Sequence, residues 1–332
     1  ISKEGADGMY KGEIAFAIEE DMKKNNGLIT MEDLANFGAE VKNPLSVKYR
    51  DFEVFGPTAP CGSWTTLETL NILENFDTKS MGHNSPEYLH MFVEAARHAF
   101  ADRYHYLGDP DFVDVPLSGL LSKEYAKDVS QQINKNYAEL ENSYEGDPWN
   151  HYSDIEIHDP WKYESSNPNS KLKNGEYDQN SDCTTHFSTA DKNGNLVSCT
   201  QTAVGHFGSK VVSKGLGILW NNGMVLFNPK PGSKNSIAPL KRPLVNMAPI
   251  IARKNGKPYM SVGSPGGRKV NNANTNLSMN ILEFGMGPQE AITTSRSDSS
   301  GSTTLIDQRI SFETVKTLKE MGHKIEIVAD ME

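Results

Sequence analysis

Thr184 and Thr202 carry the chemistry this chain of 332 residues offers most directly. A threonine hydroxyl is a weak nucleophile until something takes its proton. At a chain start its own α-amine can do so, and one residue then supplies both nucleophile and base. Thr184 opens the run Thr184-Thr185-His186-Phe187-Ser188 directly after a long polar segment. That is the setting of a strand whose first residue becomes a chain end once the Cys183–Thr184 bond is cut.

A hairpin must position these groups. Asp191-Lys192-Asn193-Gly194 has the chemistry of a type I turn closed by a left-handed glycine, which predicts a three-residue loop pairing Asp191 with Asn195. Carried back along both strands, that register sets Thr184 opposite Thr202, His186 opposite Thr200 and Ser188 opposite Ser198. All six share one face because side chains alternate. Thr185, Phe187, Val197, Cys199 and Gln201 form the other, more apolar face. A hydroxyl row usually belongs to a strand whose polar face meets water; the abrupt Thr-Thr start sets this one apart. Thr200 and His186 read as supporting groups.

A second chemical element lies downstream. Gly263-Ser264-Pro265-Gly266-Gly267-Arg268-Lys269 sits between a strand and a helix start, where several backbone N–H groups converge on one point and can hold a developing oxyanion. A phosphate loop fails on spacing, since Arg268 stands where that motif needs its second glycine.

These stretches resemble the γ-glutamyltransferase (γ-glutamyltranspeptidase) family of self-cleaving N-terminal-nucleophile hydrolases. Thr184 to Ser188, the Asp-Lys-Asn-Gly-Asn turn and Val197 to Thr202 are similar to the start of its small subunit. Met9 to Gly12, Gly27 to Leu34, Leu70 to Glu74, Ala101 to Arg103 and Leu107 to Phe112 are similar to the later part of its large subunit. The resemblance implies an α+β, four-layer α-β-β-α sandwich, incomplete at both ends in this chain. It implies a zymogen division into residues 1–183, ending in a flexible segment at about 134–183, and residues 184–332. It also implies Thr184 as nucleophile, Thr202 as the second threonine, and Gly266 and Gly267 as the oxyanion hole. No cofactor or metal is called for. The partners are a small-molecule amide and a water or amine acceptor; either another polypeptide completes the fold or the chain is a fragment, and a homo-oligomer is the other partner open to it. The family is often exported or periplasmic.

The resemblance thins where the family grips the α-amine and α-carboxylate of a glutamyl group. Val204, Gly223, Leu226, Val245 and Asn246 stand at those positions. An apolar side chain leaves a buried ammonium unpaired, at about 1–3 kcal/mol. Asn246 and Arg268 are the remaining candidates for holding a carboxylate. A related acylase with another acyl group and a catalytically inert relative therefore stay open. A serine hydrolase using His186 does not, for want of a Gly-x-Ser-x-Gly elbow.

Composition bounds the rest. A formal net charge of −10 disfavours nucleic acid. No apolar run is long enough for a membrane span, and no signal peptide is visible. Cys61, Cys183 and Cys199 show neither disulfide nor metal spacing. Periodicity predicts helices over 12–26, 64–76, 122–133, 270–284, 288–294 and 311–321, a short helix capped by Thr30 with Asp33, and a longer one opened by Ser85-Pro86. Strands are expected within 45–54 and at 215–222, 249–252, 259–262 and 324–328. His98, His105 and the Asp102-Arg103 pair read as structural, the last as a helix-end salt bridge.

Overall fold

The computed structural model describes residues 2–138, 159–164, 183–329 and 331. Of the stretch read as a flexible connection, residues 139–158 and 165–182 lie outside the described residues. Its middle is anchored: Pro160–Tyr163 forms a short helical turn, the Tyr163 ring packs 5.8 Å from Tyr125, and the Gly119 N–H donates to Glu164 at 2.7 Å.

A four-stranded antiparallel sheet is the centre of the fold. Strands β1 (Leu45–Tyr49) and β2 (Phe52–Gly56) form a hairpin, with β3 (Cys183–Ala190) and β4 (Leu196–Val204) as a second hairpin and β5 (Ile250–Lys254) and β6 (Lys257–Val262) as a third. The sheet runs β1-β2-β5-β6, while among the described residues β3-β4 pairs only with itself. Val47, Tyr49, Phe52, Val54, Ala252 and Met260 are buried on it. The helix Ser63–Leu73 packs on β1 and β2 and is buried at every residue. It is enclosed by the long helix Pro86–Tyr106 and by the helix Lys269–Leu282. Such a helix needs no polar stripe, and this one lacks a strong one. The described residues thus show a mixed α+β architecture, helices on one side of the sheet and the β3-β4 hairpin against β5 and β6.

The starts and stops follow from capping. Thr30 and Asp33 close a reciprocal capping box, and Ser85, Ser122 and Ser311 each accept from an N–H three residues on. Three sequence expectations need correction. Residues 215–222 do not form a strand; Gly215 and Gly217 turn left-handed at φ 80° and 69°, and only a Val212–Leu219 bridge remains. Leu216, Ile218 and Trp220 pack instead on the Glu13–Lys24 helix. A small sheet of β7 (Ser297–Asp298), β8 (Thr304–Asp307) and β9 (Ile325–Val328) was legible only at β9. Asp102 and Arg103 do not act as a helix-end pair: both are buried, Asp102 accepting from Tyr125 at 2.6 Å and Arg103 reaching the 245–246 segment. Neighbouring helix residues do not face each other.

Glu283 pins the β1-β2 turn to the end of the Lys269–Leu282 helix. Its carboxylate accepts from Arg50 at 3.1 Å through both Nε and Nη2, from Tyr49 at 2.9 Å and from Thr78 at 2.8 Å. Burial pushes its pKa up, but the hydrogen bonds from Arg50, Thr78 and Tyr49 outweigh it and hold the group below the usual carboxylate range. A depressed folded-state pKa stabilises above the unfolded value, and the gain is lost as pH falls through the folded one. Glu283→Gln is expected to cost about 2–3 kcal/mol at neutral pH. In melting experiments the gap to the parent should narrow as pH drops through the acid range; a gap constant with pH would remove the ionised carboxylate from the account.

Candidate active site

The hairpin folds in the register its turn chemistry sets. Asp191 N–H donates to Asn195 O at 3.1 Å, Gly194 turns at φ 85°, and the Asp191 carboxylate accepts from the Asn193 and Asn195 N–H groups at 2.9 Å. Thr184 pairs with Thr202, His186 with Thr200 and Ser188 with Ser198. The face that turns inward is the hydroxyl row rather than the apolar one: Phe187 and Val197 are 46% and 48% exposed. Ser198 donates to the Val262 carbonyl at 2.9 Å, so the row lies against β6.

At the head of the row three oxygens are linked in series. The Thr184 hydroxyl donates to the Thr202 hydroxyl at 3.1 Å, and the Thr202 hydroxyl donates to the Cys183 carbonyl at 2.9 Å. Thr202 also accepts the Val204 N–H at 2.8 Å, which fixes its lone pairs and leaves its proton for the carbonyl. The backbone here is distorted. The register shifts between Cys183 and Thr184, and buried Val204, paired with Cys183, sits at φ 75°. A β-branched residue in the left-handed region is costly, and such strain persists only where its surroundings impose it.

His186 is fully engaged within the row, its Nδ1 2.8 Å from Thr200 Oγ1 and its Nε2 3.1 Å from Ser188 Oγ. Burial lowers its pKa, which favours the neutral ring. Its ring also touches the glycine loop: a Cβ on Gly263 would stand 2.2 Å from Nδ1, so only glycine fits there. Through this contact the loop between β6 and the Lys269–Leu282 helix meets the hairpin one rung from Thr184. Gly266 and Gly267 take φ 123° and 58°. Their carbonyls accept the Lys269 and Val270 N–H groups. Among the described residues their own N–H groups donate to nothing. Ser264 Oγ is buried without a partner.

The substrate-binding candidates Asn246 and Arg268 each have neighbours of their own. Asn246 Oδ1 accepts from Arg103 Nη2 at 2.9 Å, the same nitrogen that holds the Val245 carbonyl at 2.9 Å. Arg103 is buried, which pushes its pKa down to about 10. Sequence reading missed it as the organiser of this segment. Arg268 places its guanidinium against Gly301. A cavity of about 1040 Å³ opens at the His186–Ser188 end of the row and runs past Gly263, Met286 and Arg296.

Residues 1–331 match the family described as Gamma-glutamyltranspeptidase. The chain belongs to that family. It is 36% identical over 341 residues to the glutathione hydrolase proenzyme of Escherichia coli strain K12, covering 98% of this chain and 54% of that one. It is 34% identical over 326 residues to the acylase ACY 1 proenzyme of Pseudomonas sp. strain SE83, with 98% and 53% covered. Among solved structures it is similar to the cephalosporin acylase from Bacillus halodurans, with a TM-score of 0.80, 27% identity and coverage of 98% of this chain and 53% of that one. The chain spans about half the length of these relatives. Their fold class is that of the N-terminal-nucleophile hydrolases, and the α+β expectation holds. No helix among the described residues is long and apolar enough to cross a membrane.

Proposed function

We propose that this γ-glutamyltranspeptidase-family chain is a self-processing amidohydrolase and acyltransferase with Thr184 as its nucleophile. The observation that carries the reading is the series Thr184 Oγ, Thr202 Oγ, Cys183 O. In the uncut chain the Thr184 hydroxyl attacks the Cys183 carbonyl carbon. Thr202 takes the proton from Thr184 while its own proton meets the carbonyl oxygen. The C–N bond then breaks, its electron pair and a proton forming the Thr184 amine, and Cys183 becomes an ester on Thr184 Oγ. Water hydrolyses that ester, giving residues 1–183 and 184–332. In the cut protein the freed amine takes the hydroxyl proton, and Thr184 attacks a substrate amide. Gly266 and Gly267 N–H groups receive the developing oxyanion. The acyl group then passes to water or an amine.

The acyl group proposed first is γ-glutamyl, the group in the description of the family whose model the chain matches. A second reading, a non-glutamyl acylase, rests on the pocket chemistry. Val204 is buried and apolar, and Asn246 already spends its oxygen on Arg103. γ-Glutamyl, glutaryl and simple acyl anilides, offered to the cut protein, separate the two. A γ-glutamyl preference above about 100-fold, or 2.7 kcal/mol, supports the first reading. A preference for glutaryl supports the second, and inertness of a correctly cut protein toward all of them would sink both.

A further inference from the structure

His90 and Glu94 lie one turn apart on the Pro86–Tyr106 helix, hence on one face. His323, in the turn before β9, meets them from 233 residues away in the chain. One ligand atom from each of the three lies within 4.8 Å of the others, and all three residues are buried. The amide chemistry at Thr184 makes no use of them.

The hydrogen bonds fix which nitrogens are available. His90 Nε2 stands 2.6 Å from the Asn134 carbonyl, which can only accept, so Nε2 bears the proton and a neutral ring presents a bare Nδ1. That Nδ1 faces His323 Nε2 at 2.7 Å. A histidine whose far N–H is held by a backbone carbonyl is oriented as metal-binding histidines are. When His323 donates from Nε2, its Nδ1 is left as a buried lone pair with no partner among the described residues. The two rings are thus joined through a single proton between facing nitrogens, the position an ion would take.

Charge is mixed here. Arg97, one turn beyond Glu94, donates to Thr304 at 3.0 Å. Its charge opposes a bound cation, while the Glu94 carboxylate favours one. Two imidazoles and a carboxylate suit zinc.

We propose that His90, Glu94 and His323 form a zinc site, with water as fourth ligand, that ties the long helix to the turn before β9 and to the Asn134 loop. Ligand atoms at about 2.0–2.2 Å from zinc in a tetrahedron stand roughly 3.4 Å apart. The two ring nitrogens, now 2.7 Å apart, must part by about 0.7 Å, and ligand atoms standing as far as 4.8 Å apart must close by about 1.4 Å.

The test uses the full chain stripped by a chelator and titrated with Co²⁺, then Zn²⁺. One equivalent of Co²⁺ should produce the visible absorption of a tetrahedral nitrogen–oxygen site, and Zn²⁺ should displace it and raise the melting temperature. His90→Gln, Glu94→Gln and His323→Gln should each abolish the band and weaken zinc by about 100-fold or more, whereas Cys199→Ser should change neither. These ligands are buried, so circular dichroism must show each variant folded. Should the variants unfold, the parent decides alone: no visible band and no one-to-one zinc uptake overturns the site. So does a folded His90→Gln or His323→Gln protein that keeps the band and the zinc affinity.

Discussion

Thr184→Ala is expected to leave the chain as a single species of 36.7 kDa, and the parent is expected to separate at Cys183–Thr184 into two products. Thr202, the other hydroxyl at this point of the row, meets the Cys183 carbonyl at its oxygen, as a hydrogen-bond donor, rather than at its carbon. Thr185 points to the opposite face, and His186 has both nitrogens engaged with Thr200 and Ser188. Turnover of any amide should fall with it by at least about 10⁴-fold, because the nucleophile is lost and its amine is never freed. Intact-mass spectrometry after prolonged incubation reads the first effect and anilide hydrolysis the second. Thr184→Ser supplies the control, since a serine hydroxyl can still attack. Cleavage of the alanine variant at this bond would remove Thr184 from self-processing altogether. A variant supplied as two separate pieces, 1–183 and 184–332, would then isolate its role in turnover.

Much of this site was legible because its order is local. The register that joins Thr184 to Thr202 follows from a four-residue turn and an alternation of period two, and neither depends on distant parts of the chain. The glycine loop was legible for the same reason: strand, glycines and helix start are contiguous. Which face of the hairpin turns inward was not, because burial is decided by β6, which the hairpin sequence does not contain. Arg103 was read as the partner of its neighbour, yet it reaches Val245 and Asn246 more than 140 residues away. Residues 215–222 looked like a strand by hydropathy. Two left-handed glycines overrule that pattern, and the apolar side chains serve a helix instead. The His90–Glu94–His323 cluster escapes a reading by local spacing, since only His90 and Glu94 are near each other in the chain and His323 comes from its far end. Order set by a turn and by alternation could be read, whereas glycine conformations within 215–222 and contacts made by packing could not.

Thr202 tests the linked oxygens more sharply than Thr184 does, because it is not consumed in the chemistry. Thr202→Val keeps the shape and removes the hydroxyl. The Thr184 hydroxyl then loses its acceptor, and the Cys183 carbonyl loses its donor. A single donor to a developing oxyanion is worth about 10²–10³-fold in rate, so bond cleavage should slow on that scale. Turnover by whatever fraction is cut should slow as well, since Thr202 still faces the nucleophile. Stability must be separated from rate. The Val204 N–H also loses its partner, which costs about 1–3 kcal/mol and lowers the melting temperature. Thr202→Ser distinguishes the two effects: it restores the hydroxyl, and with it the cleavage rate, even where the missing methyl leaves the fold somewhat weaker. Time courses of the intact species, followed by mass spectrometry well below each variant's melting temperature, give the comparison. Cleavage of Thr202→Val at the parental rate would show that the proton leaves Thr184 by another route, and the strained Val204 turn would then need a different reason to exist.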